Sequence, residues 1–229
     1  MTLAVVVPVL DEEARIGGQL ERLAMLPGLH EVIVVDGGSR DRTVERVIAA
    51  GHAKLIVARR GRGSQMNAGA AAATGDVLLF LHADVELPVD APRWIAEALR
   101  DPKVVAAAFR TWTVPDGARR PWLAPFLHLA DIRSRYSRLP YGDQAMFVRA
   151  SAFHDVGGFP EQALMEDLEL SRRLSKVGRI RTVPCSVRVS GRRFQARPVR
   201  YGVLMNVFPL LYRLGVPSHV LARLYGRAR

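Results

Sequence analysis

Leu3-Ala4-Val5-Val6-Val7-Pro8-Val9-Leu10-Asp11-Glu12-Glu13 opens the chain with a continuous apolar run that ends abruptly in acids. A run without polar alternation is the pattern of a strand covered on both faces, because each side of it must meet apolar atoms. Ile16, Leu20 and Leu23 follow at helical spacing, so a helix comes next. The same unit returns three times within the first 100 residues. Glu31–Val35 precedes the stripe Val44, Val47 and Ile48; Leu55–Ala58 precedes the Ala-rich segment Gln65–Ala73; Val77–Leu81 precedes Trp94, Ile95, Ala98 and Leu99. Alternating strands and helices of this kind predict an α/β fold of Rossmann type, with a mostly parallel central sheet between helical layers.

Beyond residue 100 the pattern is less regular. Val104–Val114 reads as a long strand, Trp122–Tyr136 as a helix, Ala145–Val148 as a strand, Leu164–Val177 as a helix and Arg179–Val189 as a strand. Val199–Leu214 and Ser218–Tyr225 read as amphipathic helices broken at Pro217. Tyr201–Ala222 holds Asn206, Pro209, Arg213, Pro217 and His219, a composition that does not suit a bilayer span. The expected organisation is one domain over 1–195, divided near residue 100, and a basic helical segment over 196–229.

A length of 229 residues falls between one and two domains, and 49% hydrophobic with 24% charged residues excludes disordered, collagenous and disulfide-scaffold classes. The single cysteine, Cys185, permits neither an internal disulfide nor a cysteine zinc cluster, which fits a reducing, cytoplasmic compartment. No basic region precedes the first apolar run, so a cleaved leader is not expected. The net charge of +11 is unevenly placed: the last carboxylate is Glu169, and the 60 residues after it carry 14 Lys or Arg. Residues 1–169 therefore hold −3 and the remainder +14. Nucleic acid, anionic lipid and a phosphorylated substrate are all open as partners of such a segment.

In an open parallel sheet, ligands bind beyond the carboxyl ends of the strands. Three of the four apolar runs end there in acids: Asp11-Glu12-Glu13, Asp36 with Asp41, and His82-Ala83-Asp84. Converging carboxylates at one sheet edge call for a cation or a polyhydroxyl ligand. Asp11 and Asp41 also read as helix N-caps. Asp36, before Gly37-Gly38, reads as a contact to a ribose or base; the absence of Gly-x-Gly-x-x-Gly after the first run argues against a dinucleotide-dependent dehydrogenase. His82 and Asp84, at i and i+2, would face one side of an extended segment and hold a divalent cation whose other positions go to phosphate and water, with His favouring manganese over magnesium. The alternative is a strand-end pair that closes a turn. Glu166-Asp167-Leu168-Glu169 either complements a helix dipole or supplies a general base, and spacing leaves both open.

Four segments in order resemble the family 2 glycosyltransferases, whose nucleotide-sugar-binding fold is the GT-A type. They are Pro8-Val9-Leu10-Asp11-Glu12-Glu13; Val35-Asp36-Gly37-Gly38-Ser39-Arg40-Asp41-Arg42-Thr43; Gln65-Met66-Asn67-Ala68-Gly69 with Thr74-Gly75-Asp76; and Glu166-Asp167. Phe80-Leu81-His82-Ala83-Asp84, Gly142-Asp143-Gln144 and Ser190-Gly191-Arg192-Arg193-Phe194 further resemble a small bacterial subgroup associated with arsenosugar biosynthesis. The resemblance implies nucleotide contacts at Pro8, Leu10, Glu12, Asp36, Gln65 and Asn67, a Mn or Mg ion at Asp84 with His82, and Asp167 as the base. It implies acceptor or phosphate contacts at Asp143, Gln144, Glu166, Arg192 and Arg193, with residues 1–100 as the nucleotide-sugar half and 101–195 as the acceptor half. His82 stands where the family has the first Asp of Asp-x-Asp, and Gly37 where it has a second Asp, which biases the cation toward manganese.

The implied activity is metal-assisted, inverting transfer of a sugar from a nucleotide-diphosphate sugar to an unidentified acceptor. The competing reading is a catalytically silent nucleotide-sugar-binding or partner-binding domain on the same fold. With no recognition motif and only 7% aromatic residues, nucleic acid is not an expected partner. Residues 198–229 are expected to meet the inner face of a membrane, or a second copy of the chain.

Overall fold

The computed structural model describes residues 1–115, 128, 131–132, 134–135, 139–192 and 198–225, with the backbone alone for 198–203, 205–206 and 225. Eight strands form one sheet: β1 (Leu3–Val9), β2 (Leu29–Asp36), β3 (Lys54–Val57), β4 (Val77–Phe80), β5 (Val85–Glu86), β6 (Val104–Val114), β7 (Phe147–Arg149) and β8 (Arg179–Ser190). Their order is β3-β2-β1-β4-β7-β6-β8-β5. The first four are parallel. β7 then runs antiparallel between β4 and β6, β8 returns parallel to β6, and β5 pairs antiparallel at the far edge. The sheet is thus parallel in its first half and mixed in its second.

All seven residues of β1 are buried, and its alternating side chains enter two separate cores. Leu3, Val5, Val7 and Val9 meet Ile16, Leu20 and Leu23 of α1 (Glu13–Ala24). Ala4 and Val6 meet Met66 and Ala70 of α3 (Arg62–Ala72) on the other face. This double burial is why the run is apolar throughout. α3 lies so close to β1 that a Cβ on Gly69 would fall 2.3 Å from Val6 Cγ1, so a side chain there would push the helix off the sheet.

The remaining helices are α2 (Thr43–Ala50), α4 (Ala91–Ala98), α5 (Ala150–Asp155), α6 (Glu166–Val177), α7 (Pro198–Arg213) and α8 (Ser218–Tyr225). α6 begins two residues later than the expected Leu164 because Met165 adopts φ 66°, a left-handed conformation that cannot continue into a helix. The expected strand at Ala145–Val148 is β7, displaced to Phe147–Arg149 because Ala145 also has positive φ. Of the expected helix Trp122–Tyr136, His128, Asp131, Ile132, Ser134 and Arg135 are helical and the other positions lie outside the described residues. β5, α5 and a 3-10 turn at Gly142–Gln144 are too short to leave a periodic signal.

Candidate active site

The carboxyl ends of β1 and β2 are stitched together by their own acids. Asp36, 3% exposed, accepts hydrogen bonds from the Gly38 amide at 2.9 Å and from the Ser39 amide and hydroxyl. Asp41 accepts from the Glu13 amide at 3.1 Å and the Thr43 amide at 3.0 Å, the first N–H groups of α1 and α2. Burial works to raise the Asp41 carboxyl, but bonds from Thr43 and Glu13 outweigh it and leave it below the usual range. Asp41 thus serves the ends of two helices, although the residues at the cap positions are Glu12 and Arg42. Asp11 caps neither: it has φ 53° and accepts from the Arg40 amide at 2.8 Å, tying loop to loop. Pro8 is buried in β1 and Leu10 is half-buried just beyond it.

Three residues expected to contact ligand serve as internal ties in the structure. Gln65, 4% exposed, donates to the Val9 carbonyl at 2.8 Å and the Val35 carbonyl at 2.9 Å, so both of its amide hydrogens are engaged in holding β1 and β2. Asn67 closes a reciprocal pair with Phe159, donating to its carbonyl and accepting from its amide, each at 2.9 Å. Gln144, 1% exposed, accepts from the Tyr141 amide and donates to the Phe109 carbonyl. Each looks like a ligand residue in sequence because an amide side chain at a loop serves backbone and ligand equally well. Arg193 lies outside the described residues.

β4 stops at Phe80, and the Val85 amide donates to the His82 carbonyl at 3.1 Å, closing a turn over 82–85. The segment is therefore not extended, and His82 and Asp84 do not share a face by strand periodicity. Asp84 meets Arg192, whose Nη2 lies 3.4 Å from Asp84 Oδ2 and 2.7 Å from Glu12 Oε1. Glu12 and Asp84 come from the ends of different strands, and the guanidinium between them offsets their mutual repulsion. Glu12 Oε2 is buried and accepts no hydrogen bond, with Arg15 Nη1 3.8 Å away. The site accordingly fits a hard cation held by carboxylate oxygens. Among the described residues no group of three or more His, Cys, Asp or Glu converges, so such an ion would draw most of its ligands from phosphate and water.

Asp167 sits in the first turn of α6. Its Oδ2 accepts from the Gly142 amide at 2.6 Å and its Oδ1 from the Leu168 amide at 2.7 Å. A Cβ on Gly142 would lie 2.9 Å from His82 Nε2 and 3.3 Å from Asp167 Oδ2, so only a glycine lets these two side chains flank the segment. His82 therefore stands on the Asp167 side, and half-buried Asp143 adjoins it in the chain. Glu166 is 5% exposed; burial, reinforced by the charge of Asp167 and opposed by Arg62, pushes its carboxyl up to about 7. A protonated Glu166 spares Asp167 a second negative charge at its side.

A cluster not foreseen from sequence adjoins this side. Buried Asp131 accepts from Thr111 Oγ1 at 2.8 Å, from the Thr113 amide at 3.0 Å and from His128 Nδ1 at 2.8 Å, while His128 stacks on Trp112. The alternation Thr111, Thr113 on an otherwise apolar strand is the one sequence signal for it.

The profile of the glycosyl transferase family 2 matches residues 4–157. The β-monoglucosyldiacylglycerol synthase of Synechocystis sp. is 32% identical over 184 residues, 72% of this chain and 38% of its own length. The pre-mycofactocin glycosyltransferase of Mycobacterium tuberculosis is 31% identical over 214 residues, 85% of this chain and 44% of its own. The chain thus spans less than half the length of these relatives. Among solved structures, the mannosyltransferase PcManGT of Pyrobaculum calidifontis, in complex with GDP-Man and Mn2+, superposes with a TM-score of 0.68 at 19% identity, covering 98% of this chain and 70% of that one. TarS of Staphylococcus aureus gives 0.65 at 20% identity, covering 88% and 64%. These likenesses bear out the GT-A fold. With the family profile matching more than half of its length, the chain belongs to glycosyl transferase family 2.

Proposed function

We propose that this chain transfers a sugar from a nucleotide-diphosphate sugar to an acceptor hydroxyl with inversion, using Asp167 as the base and Asp84 to carry a divalent cation. The observation that carries the reading is the placement of Asp167 at the start of α6, against Gly142 and beside His82, two residues from Asp84. Two chemically distinct carboxylate sites thereby face one sheet edge. Asp167 takes the proton of the acceptor hydroxyl as its oxygen bonds to the anomeric carbon; the bond from that carbon to the diphosphate breaks, and its electron pair leaves with the phosphate. Asp84 would hold a Mn or Mg ion, which would supply charge neutralisation for the departing diphosphate. Pro8, Leu10 and the loop held by Asp36 supply the floor for the nucleoside. A domain that only binds has no use for a carboxyl pair whose buried member is forced toward neutrality. That favours catalysis over the silent reading.

The complexes with GDP-Man and with UDP-Glc among its structural neighbours make both nucleotides reasonable first probes. A thermal-shift and transfer panel of UDP, GDP, dTDP and CDP sugars, with and without manganese, tests the reading. A true donor at 100 times its dissociation constant adds about 2.7 kcal/mol. No stabilisation by any of them, with either metal, contradicts it.

Residues 198–229 are assigned to the cytosolic face of a membrane. Among the described residues no helix is long and apolar enough to cross one. Val207, Leu210 and Leu214 form an exposed stripe on and just beyond α7, Leu224 is exposed on α8, and five arginines without a carboxylate accompany them in sequence. A second copy on this face would set arginine against arginine, whereas anionic lipid matches both the stripe and its charge. Sedimentation with anionic but not zwitterionic vesicles is the expected result; a doubled mass in light scattering without vesicle binding would show pairing instead.

A further inference from the structure

We infer that Arg192 is a built-in counter-ion: it holds the cation position in the nucleotide-free protein and releases Asp84 when a nucleoside diphosphate and a divalent cation arrive together. The inference rests on the reading that Asp84 carries a cation. One guanidinium nitrogen touches both carboxylates of the site, Glu12 Oε1 at 2.7 Å and Asp84 Oδ2 at 3.4 Å. The three side chains are 28%, 18% and 20% exposed, so their charges are only partly screened. A Mg or Mn ion needs its carboxylate oxygen at about 2.0–2.2 Å and free of a competing cation. Guanidinium and metal thus compete for the same Asp84 oxygen.

The backbone leading into Arg192 is tied to the sheet, so the side chain can move without it. The Ser190 amide donates to the Asp84 carbonyl at 3.1 Å and the Gly191 amide to the Val114 carbonyl at 2.8 Å. The closer bond to Glu12 keeps the guanidinium at the site after it leaves Asp84. An incoming diphosphate offers it a bidentate acceptor, and each event favours the other. Metal alone must displace the arginine; metal with nucleotide finds it already drawn onto phosphate. The two ligands are therefore positively coupled, by the same factor whichever is added first.

The test is isothermal titration of manganese chloride into nucleotide-free protein, followed by UDP or GDP at saturating manganese. Arg192→Gln removes the competitor, so manganese alone binds about tenfold tighter than to wild type, while the nucleotide binds more weakly in the presence of manganese. Arg188→Gln controls for a general loss of positive charge: Arg188 lines a cavity with Asp84 but pairs with Glu86 at 3.9 Å, and its loss should change manganese affinity less than about twofold. If the glutamine variant does not fold, Arg192→Lys replaces it. A lysine keeps the charge but reaches less far toward the two carboxylates, and manganese affinity should rise about threefold. Unchanged or weaker manganese binding in the Arg192 variant overturns the inference, as does an equal gain in Arg188→Gln. If manganese binds neither protein even with UDP or GDP present, the cation reading of Asp84 fails first and this inference with it.

Discussion

Two groups of acids at the carboxyl end of the sheet contrast in what neutralises them. At the ends of β1 and β2, Asp11, Asp36 and Asp41 are met by backbone amides and by the hydroxyls of Ser39 and Thr43, all within two adjacent loops. Around β4 and α6 the neutralisation is mixed: Asp167 accepts from the Gly142 and Leu168 amides, but its neighbours are handled differently. Asp84 and Glu12 rely on a guanidinium from the far end of the chain, and Glu166 is driven toward its neutral form. Asp11, Asp36 and Asp41 hold loops together, whereas in the proposed reading the chemistry falls to Asp84, which shares a guanidinium, and to Asp167, which stands beside the raised Glu166.

Substitutions in the two groups should therefore fail in different ways. The largest effect is expected at Glu166. Its folded carboxyl titrates near 7 against an ordinary 4.5, so the folded state holds a proton that the unfolded chain has already released. Wild-type stability should therefore fall as pH rises from about 4.5 to about 7, and Glu166→Gln should remove that slope, a relative gain on the order of 3 kcal/mol at pH 8. Urea unfolding across pH measures it; parallel profiles for the two proteins would mean that Glu166 is ionised in the fold.

Next comes Asp84→Ala, which should weaken metal-dependent nucleotide-diphosphate binding about a hundredfold, or about 2.7 kcal/mol, with little change in melting temperature. Undiminished affinity in titration would move the cation elsewhere. Asp36→Ala should show the opposite profile, a loss of about 2 kcal/mol in urea unfolding from unpaired amides at Gly38 and Ser39. Unchanged stability there would make Asp36 a ligand contact rather than a loop anchor. The smallest effect belongs to His82→Ala. Because His82 faces Gly142 and Asp167, transfer should fall about fivefold alike with Mn and with Mg. A distinctly larger loss with Mn would show that it ligates.

The fold was legible where burial alone dictates sequence. β1 enters two cores at once and so had to be apolar at every position, and the stripe Ile16, Leu20, Leu23 needed no tertiary knowledge to find, whereas of the expected Val44, Val47 and Ile48 only Val47 is in the core and Ile48 is exposed. The site was legible as a set of positions but less so as a set of roles. Asp36, Gln65 and Asn67 carry the residue types that bind nucleotides, and the same groups satisfy backbone N–H and C=O in the structure. The turn at 82–85, which separates His82 from Asp84, is the turn-closing alternative that a strand-end Asp offers in sequence, and residue type alone leaves it open beside the extended reading. Arg192 and Glu12 are 180 positions apart, as Thr111 and Asp131 are 20; such pairs exist only once the sheet has closed.

The account turns on Asp167 acting on the acceptor while the loops after β1, β2 and β4 hold the donor. Asp167→Asn keeps the shape of the side chain and removes its basicity, so donor affinity and the rate of sugar transfer should part company. With the donor identified, single-turnover transfer by Asp167→Asn should be slower by about a thousandfold, while donor binding by titration stays within about threefold of wild type. Transfer within tenfold of the wild-type rate would contradict the assignment and place the base elsewhere, with Asp143 the next residue to test.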